Sequence, residues 1–183
     1  MIWILYVVGG LAALVVVMAL VGLRMPAEHV AARRARLGVP ADKVWRALVD
    51  LDAQPSWRPG LRKLEQLPPK DGKPSFREIT SQGVITYAID EERAPVASIP
   101  GLRVTRIADD RLPFGGRWIY ELAPDGTLTI TEDGFVKNPV FRFLARTVFS
   151  QAATIEQFLR GLASHVGSDA APEPAEPSQL ARR

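Results

Sequence analysis

Trp118-Ile119-Tyr120-Glu121-Leu122-Ala123-Pro124-Asp125-Gly126-Thr127-Leu128-Thr129-Ile130-Thr131 is the stretch that decides the fold class. Aromatic and β-branched residues flank a Pro-Asp-Gly turn, which predicts two antiparallel strands joined by a tight hairpin. The same punctuation recurs outward from it. Gly115-Gly116 introduces a run at 117–123, Pro100-Gly101 a run at 102–108, and Gly83 a run at 84–92. Asp71-Gly72 separates a run at 76–80 from one at 61–67 that ends on Pro68-Pro69. A further strand at about 29–37 makes seven, six of them consecutive, and sequential hairpins predict an antiparallel sheet rather than βαβ units.

Two helical patterns frame these strands. Pro40 opens a short amphipathic stretch through Leu51, with Val44, Leu48 and Leu51 on one face and Trp45 and Val49 widening it. Pro55, Pro59 and Gly60 break any continuation. The second pattern is longer. Over 140–166, Phe141, Leu144, Val148, Ala152, Ile155, Leu159 and Leu162 recur every three or four residues, predicting one long helix whose stripe covers the sheet. From 167 to 183, three prolines among alanine and acidic residues predict a disordered tail.

The N-terminus has a different character. No charged side chain occurs from residue 2 to residue 23. As a helix, roughly 22 residues cover about 33 Å, close to a hydrocarbon core of about 30 Å. Nothing basic precedes it and no small-x-small site follows, so it is read as a retained transmembrane anchor over 1–24 rather than a cleaved signal. Arg24, Arg33, Arg34 and Arg36 follow the span, opposed only by Glu28. The positive-inside rule then predicts a single-pass membrane protein with its domain, 25–166, in the cytoplasm. The same four arginines are candidates for contact with anionic headgroups, at about 1 kcal/mol each.

Composition narrows the chemistry. The 183 residues include no cysteine, which excludes disulfides, thiolate metal sites and cysteine nucleophiles. The net charge of +3 is modest. Arg103, Arg106, Arg111 and Arg117 are interspersed with Asp90, Glu91, Glu92, Asp109 and Asp110, the pattern of a mixed solvated surface, so no nucleic-acid partner is expected. His29 and His165 sit in no metal or triad pattern and are assigned to the surface; no metal and no cofactor are expected.

The element order, together with Ala41-Asp42-Lys43-Val44-Trp45-Arg46-Ala47-Leu48-Val49-Asp50 and Trp57-Arg58-Pro59-Gly60-Leu61, resembles the START-like, helix-grip superfamily, also called SRPBCC. Gly116-Arg117-Trp118-Ile119-Tyr120-Glu121-Leu122 and Thr129-Ile130-Thr131-Glu132-Asp133-Gly134 carry the likeness further, so that it covers about 28–166. The superfamily includes polyketide cyclase-like and plant pathogenesis-related proteins. The resemblance implies an α+β helix-grip fold: a curved seven-stranded antiparallel sheet around a long C-terminal helix, here preceded by one transmembrane helix. It also implies a cavity between sheet and helix for an apolar or amphiphilic molecule.

Strand alternation nominates residues for that cavity. Glu132 shares parity with Leu128 and Ile130, so it faces the cavity if they do, and a carboxylate there could bind a ligand hydroxyl or act as an acid or base. Trp118, Tyr120 and Leu122 share one face, as do Ile85, Tyr87 and Ile89. The candidate cavity set is Trp57, Tyr87, Trp118, Tyr120, Ile130, Glu132, Leu144 and Val148, with Trp57 at the mouth. The leading expectation is a noncatalytic binding or transfer domain for a hydrophobic molecule such as a lipid, quinone or isoprenoid. The alternatives are a polyketide cyclase-like enzyme using Glu132 and a tyrosine as acid/base groups, and a noncatalytic protein-interaction domain whose interior is filled.

Overall fold

The computed structural model describes residues 2–147 and 150–182. Helix α1, Ile2–Arg24, leads into strand β1, Glu28–Arg36, and helix α2, Ala41–Val49. A one-turn helix α3, Gln54–Trp57, follows, then β2 (Leu61–Lys70), β3 (Lys73–Thr80), β4 (Val84–Arg93), β5 (Gly101–Ile107), β6 (Phe114–Leu122) and β7 (Thr127–Val136). Helices α4, Pro139–Thr147, and α5, Gln151–Val166, come next, then a two-residue strand β8, Glu173–Pro174, and a 3-10 turn, Gln179–Arg182. The sheet runs in the order β2-β3-β4-β5-β6-β7-β1-β8, with antiparallel pairing between neighbours.

The hairpin that opened the sequence reading forms as expected, with Leu122 opposite Leu128 and Tyr120 opposite Ile130. Gly126 closes it with φ of 81°, a left-handed conformation that an L side chain rarely adopts, and its N–H donates to Ala123 O at 3.0 Å. Leu128 and Ile130 on β7, and Leu122 and Tyr120 on β6, face Ile155, Phe158, Leu159 and Leu162 of α5. Ala35 and Leu37 extend the same core past β1, and Val44, Trp45 and Leu48 of α2 close its end. The core therefore lies under one side of the sheet, and no buried residue of β2, β3, β4 or β5 belongs to it.

Three expectations are corrected. The sheet has eight strands, not seven, and the eighth comes from the segment expected as a disordered tail. Low apolar content argued for that tail, but Arg34 Nε donates to Glu173 Oε1 at 2.7 Å. Leu180 and Ala181 then cover Leu102, Val104 and Ile119 on the outer face, and Ser178 N–H donates to Thr131 Oγ1 at 2.9 Å. The long helix over 140–166 is two helices. Ser150 caps α5 by accepting from the Ala153 N–H at 3.3 Å, and the unbroken apolar period hid the restart. Strand β2 continues through Pro68-Pro69 to Lys70 because it is an edge strand whose register shifts between Leu67 and Lys70. The Pro-rich segment does end α2, as expected, and holds a separate one-turn α3 with Pro55 in its first turn, where a missing N–H costs nothing.

Helix α1 is 23 residues long with a mean hydropathy of 2.8 over its most apolar window, long and apolar enough to cross a membrane. Its last turn is attached to α4. Gly22 lies so close to the Pro139 carbonyl that a Cβ there would collide with it. The Arg142 guanidinium donates to Gly22 O and Met25 O at 3.3 and 3.1 Å, and also to Val136 O at the end of β7.

The buried core dictates one outcome. Leu159→Ala, at a position with no exposure, should lower unfolding stability of the detergent-solubilised chain by about 3 kcal/mol, read by urea denaturation.

Candidate functional site

The concave face that α5 leaves uncovered encloses a cavity of about 970 Å³. Alternation explains its lining. Phe76, Glu78 and Thr80 on β3, Ile85 and Tyr87 on β4, and Arg103, Thr105 and Ile107 on β5 all point to one side, as do Trp118 and Tyr120 on β6. Register brings these rows together: Phe76 lies opposite Tyr87, Tyr87 opposite Ile107, Thr105 opposite Trp118 and Arg103 opposite Tyr120. Phe158 and Thr154 of α5 and Phe141 and Ala145 of α4 complete the wall.

A polar network lies within this wall. Arg58, just after α3, forms a two-pronged ion pair with Glu78, Nη1 to Oε1 at 2.6 Å and Nη2 to Oε2 at 3.1 Å. Arg58 Nη1 also donates to Gln54 Oε1 at 2.8 Å, and Gln54 Nε2 donates to Leu48 O at 2.9 Å. The guanidinium sits 5.1 Å from the centre of the Phe158 ring. Burial opposes the charge on Arg58, but the Glu78 carboxylate outweighs it and holds the guanidinium above its ordinary pKa. Arg103 is 3% exposed, donates to Leu48 O at 3.3 Å and pairs with Glu92 at 3.2 Å. Its pKa is lowered by burial, with Glu92 opposing.

The tyrosines stay neutral in this setting. Burial is the main reason that the Tyr120 hydroxyl is pushed up to about 12, with the Glu78 charge adding and Arg58 opposing. Tyr87 is raised well above its usual value by burial first and Glu78 second. Both phenols keep their protons, the Tyr120 hydroxyl sharing a hydrogen bond with Thr105, while both nearby arginines already have carboxylate partners. Such a floor suits a neutral carbonyl or hydroxyl better than a free charge.

Glu132 faces the cavity with Trp118, which it opposes across the β6–β7 ladder. His29, assigned to the surface from sequence, lines the same cavity and places Nε2 3.3 Å from Glu132 Oε1, both side chains about one-fifth exposed. Strand β1 turns His29 to the side that carries Ala31 and Ala35, an alternation available in the sequence.

Of the other nominated residues, Tyr87, Trp118 and Tyr120 line the cavity, whereas Ile130 is sealed in the core beneath α5. Trp57 is not at the mouth: its ring packs edge-on against Phe158 at 5.3 Å and stacks on His165 at 5.7 Å. Leu144 is absent from the lining, to which its helix contributes Phe141 and Ala145 instead. Val148 lies outside the described residues. Of the four headgroup candidates, Arg33 pairs with Glu156 at 2.9 Å, Arg34 with Glu173, and Arg36 with Asp125 at 3.7 Å. Strand β1 leads away from α1, so Arg36 stands about 25 Å beyond its start at about 3.3 Å per residue. Arg24 remains, exposed at the end of α1.

Sequence reasoning missed Gln54, Arg58 and Glu78 and placed Arg103 in solvent. Glu78 could have been found, because it alternates with Phe76 on β3. Among the described residues no group of three histidine or acidic side chains converges as a metal site.

A family model described as polyketide cyclase / dehydrase and lipid transport matches residues 29–167. The chain belongs to that family. Solved structures similar to this family member include norcoclaurine synthase from Thalictrum flavum, at 12% identity and a TM-score of 0.57 over 76% of this chain and 93% of that one. A hypothetical protein from Helicobacter pylori matches at 13% identity and 0.56, over 75% of this chain and 88% of its own. A START superfamily protein from Mycobacterium smegmatis matches at 18% and 0.51, over 76% and 97%. At these identities the likeness is one of fold: an antiparallel sheet gripping a C-terminal helix. Comparison with curated protein sequences gives no match.

Two outcomes follow for the polar network of this polyketide cyclase / dehydrase family domain. Glu78→Ala strands the Arg58 charge and should cost about 3 kcal/mol, whereas the paired change Arg58→Met with Glu78→Leu should recover most of it in chemical denaturation. Raised tyrosine pKa values give stability that is full below about pH 10, where both states are neutral. It is lost towards pH 12 as the unfolded chain ionises first, and Tyr120→Phe should shrink that loss in pH-dependent unfolding.

Proposed function

We propose that this protein is a membrane-anchored, noncatalytic binding or transfer domain for a hydrophobic small molecule with a neutral hydrogen-bonding head. The observation that carries the reading is the open concave face, where apolar side chains surround charges already matched to one another and two neutral tyrosines. A cavity of about 970 Å³ falls within the usual range for small-molecule sites and favours binding over a filled interaction domain. Apolar burial at about 25 cal/mol per Å² would supply affinity, and Tyr87, Tyr120 and Glu132 would orient the head. Lipid, quinone and isoprenoid-like molecules meet that description. Family membership supports the reading, since lipid transport is one of the two roles in the family's description.

The anchor is α1, a span by length and hydropathy. Arg24 at its end and the basic residues that follow favour a cytoplasmic domain.

A second reading has its own observation. The His29–Glu132 pair opens onto the cavity and is a workable acid/base couple, so a cyclase-like reaction on a bound carbonyl compound is the enzymatic alternative. The norcoclaurine synthase fold likeness agrees with either.

Mass spectrometry of the full chain purified in mild detergent tests the first reading. A stoichiometric hydrophobic co-purifying molecule is expected, and Glu132→Gln should alter which molecule is retained without emptying the cavity. Repeated recovery of an empty protein counts against binding. A turnover of the retained molecule that Glu132→Gln abolishes decides for the enzyme.

A further inference from the structure

The ends of the strands show which way the cavity opens. Antiparallel pairing places the start of β1, the end of β7 and the start of β6 together, with Glu28 opposite Phe135 and Phe114 opposite Val136. The same end of the sheet holds the end of β5, the start of β4, the end of β3 and the start of β2, with Ile79 opposite Val84 and Leu61 opposite Thr80. These termini also edge the cavity: Leu61, Thr80, Val84, Ile107, Phe114 and Val136 line it. Among its lining residues Val84, Phe141 and Phe135 are 51%, 49% and 38% exposed, which marks this rim as the mouth.

Helix α1 leaves the domain from the same end. Only residues 25–27 separate it from β1, and the Ala27 carbonyl accepts from Val136 N–H at 2.9 Å. Helix α4, which supplies Phe141 and Ala145 to the mouth, is bound to the last turn of α1 through Arg142 and through the contact of Gly22 with Pro139. Arg146 on the same face of α4 donates to the Glu28 carbonyl at 3.1 Å. With both arginines turned to the link, the helix has no charged residue among Val140, Phe141, Phe143, Leu144 and Ala145. An apolar helix tied within one turn, about 5 Å, of the end of a span lies at headgroup depth.

We propose that the mouth of the cavity rests against the leaflet in which α1 ends, so that α4 is an interfacial helix and ligand passes between bilayer and cavity without crossing water. The occupant of this surface is a lipid bilayer. The inference rests on the binding reading for its purpose, but its geometry can be tested without a ligand.

The chain has no cysteine, so each introduced thiol is unique. Val84→Cys and Phe141→Cys report the mouth. Val96→Cys, 61% exposed beyond the far end of β4, reports the opposite end about 30 Å away. The full chain carrying each, labelled with a small fluorophore, is reconstituted in phosphatidylcholine–phosphatidylglycerol vesicles with and without a headgroup-nitroxide lipid. Quenching at both mouth positions about threefold or more above that at Val96→Cys is expected, given a headgroup zone only several ångströms deep. Equal, weak quenching at all three positions overturns the proposal, as does failure of the chain to float with the vesicles. An empty cavity with strong mouth quenching leaves the geometry standing and removes only the binding reading, so the two failures are distinct.

Discussion

One helix of 16 residues cannot cover the concave face of an eight-stranded sheet, and that shortfall governs the rest of the molecule. At about 1.5 Å per residue α5 is about 24 Å long. Its apolar stripe is spent on β1, β6, β7 and α2, where Leu122, Leu128, Ile130, Leu159 and Leu162 are fully enclosed. Strands β3, β4 and β5 present the same inward alternation, but none of their buried residues joins the core under α5. Their residues line a void instead of a core.

The void then sets its own electrostatics. A charge placed there is expensive unless matched, and the two arginines that enter it are matched, Arg58 by Glu78 and Arg103 by Glu92. The same low polarity keeps the tyrosines protonated. On the proposed binding reading this arrangement would favour a neutral head over an anion, since both arginines already have carboxylate partners.

Much of this is legible in the sequence. The 118–131 hairpin, the turn dipeptides and the terminal amphipathic pattern point to an antiparallel sheet with a C-terminal helix, and parity groups Trp118 with Tyr120 and Glu132 with Leu128 and Ile130. Arg103 and His29 are assigned to the surface from charge and the lack of a motif, and Glu78 and Arg58 are passed over, although Glu78 follows the parity of Phe76 and His29 that of Ala31. Period could not separate α4 from α5, because α4 spends its apolar face on the cavity and the α1 link while α5 spends its on the core. The tail deceived by composition: one leucine, Leu180, suffices when a waiting apolar patch and an arginine lie beneath.

If the uncovered concave face is a ligand chamber rather than a packing defect, it holds a molecule when the protein is isolated from cells. A structure of the full chain isolated from its expression host in mild detergent is the decisive measurement. Elongated density is expected from the rim at Val84 and Phe141 to the floor, with its polar end within hydrogen-bonding distance of the Tyr87 or Tyr120 hydroxyl. A chamber closed by inward movement of Trp118, Tyr120 and Phe158, with no room for a ligand, would contradict it.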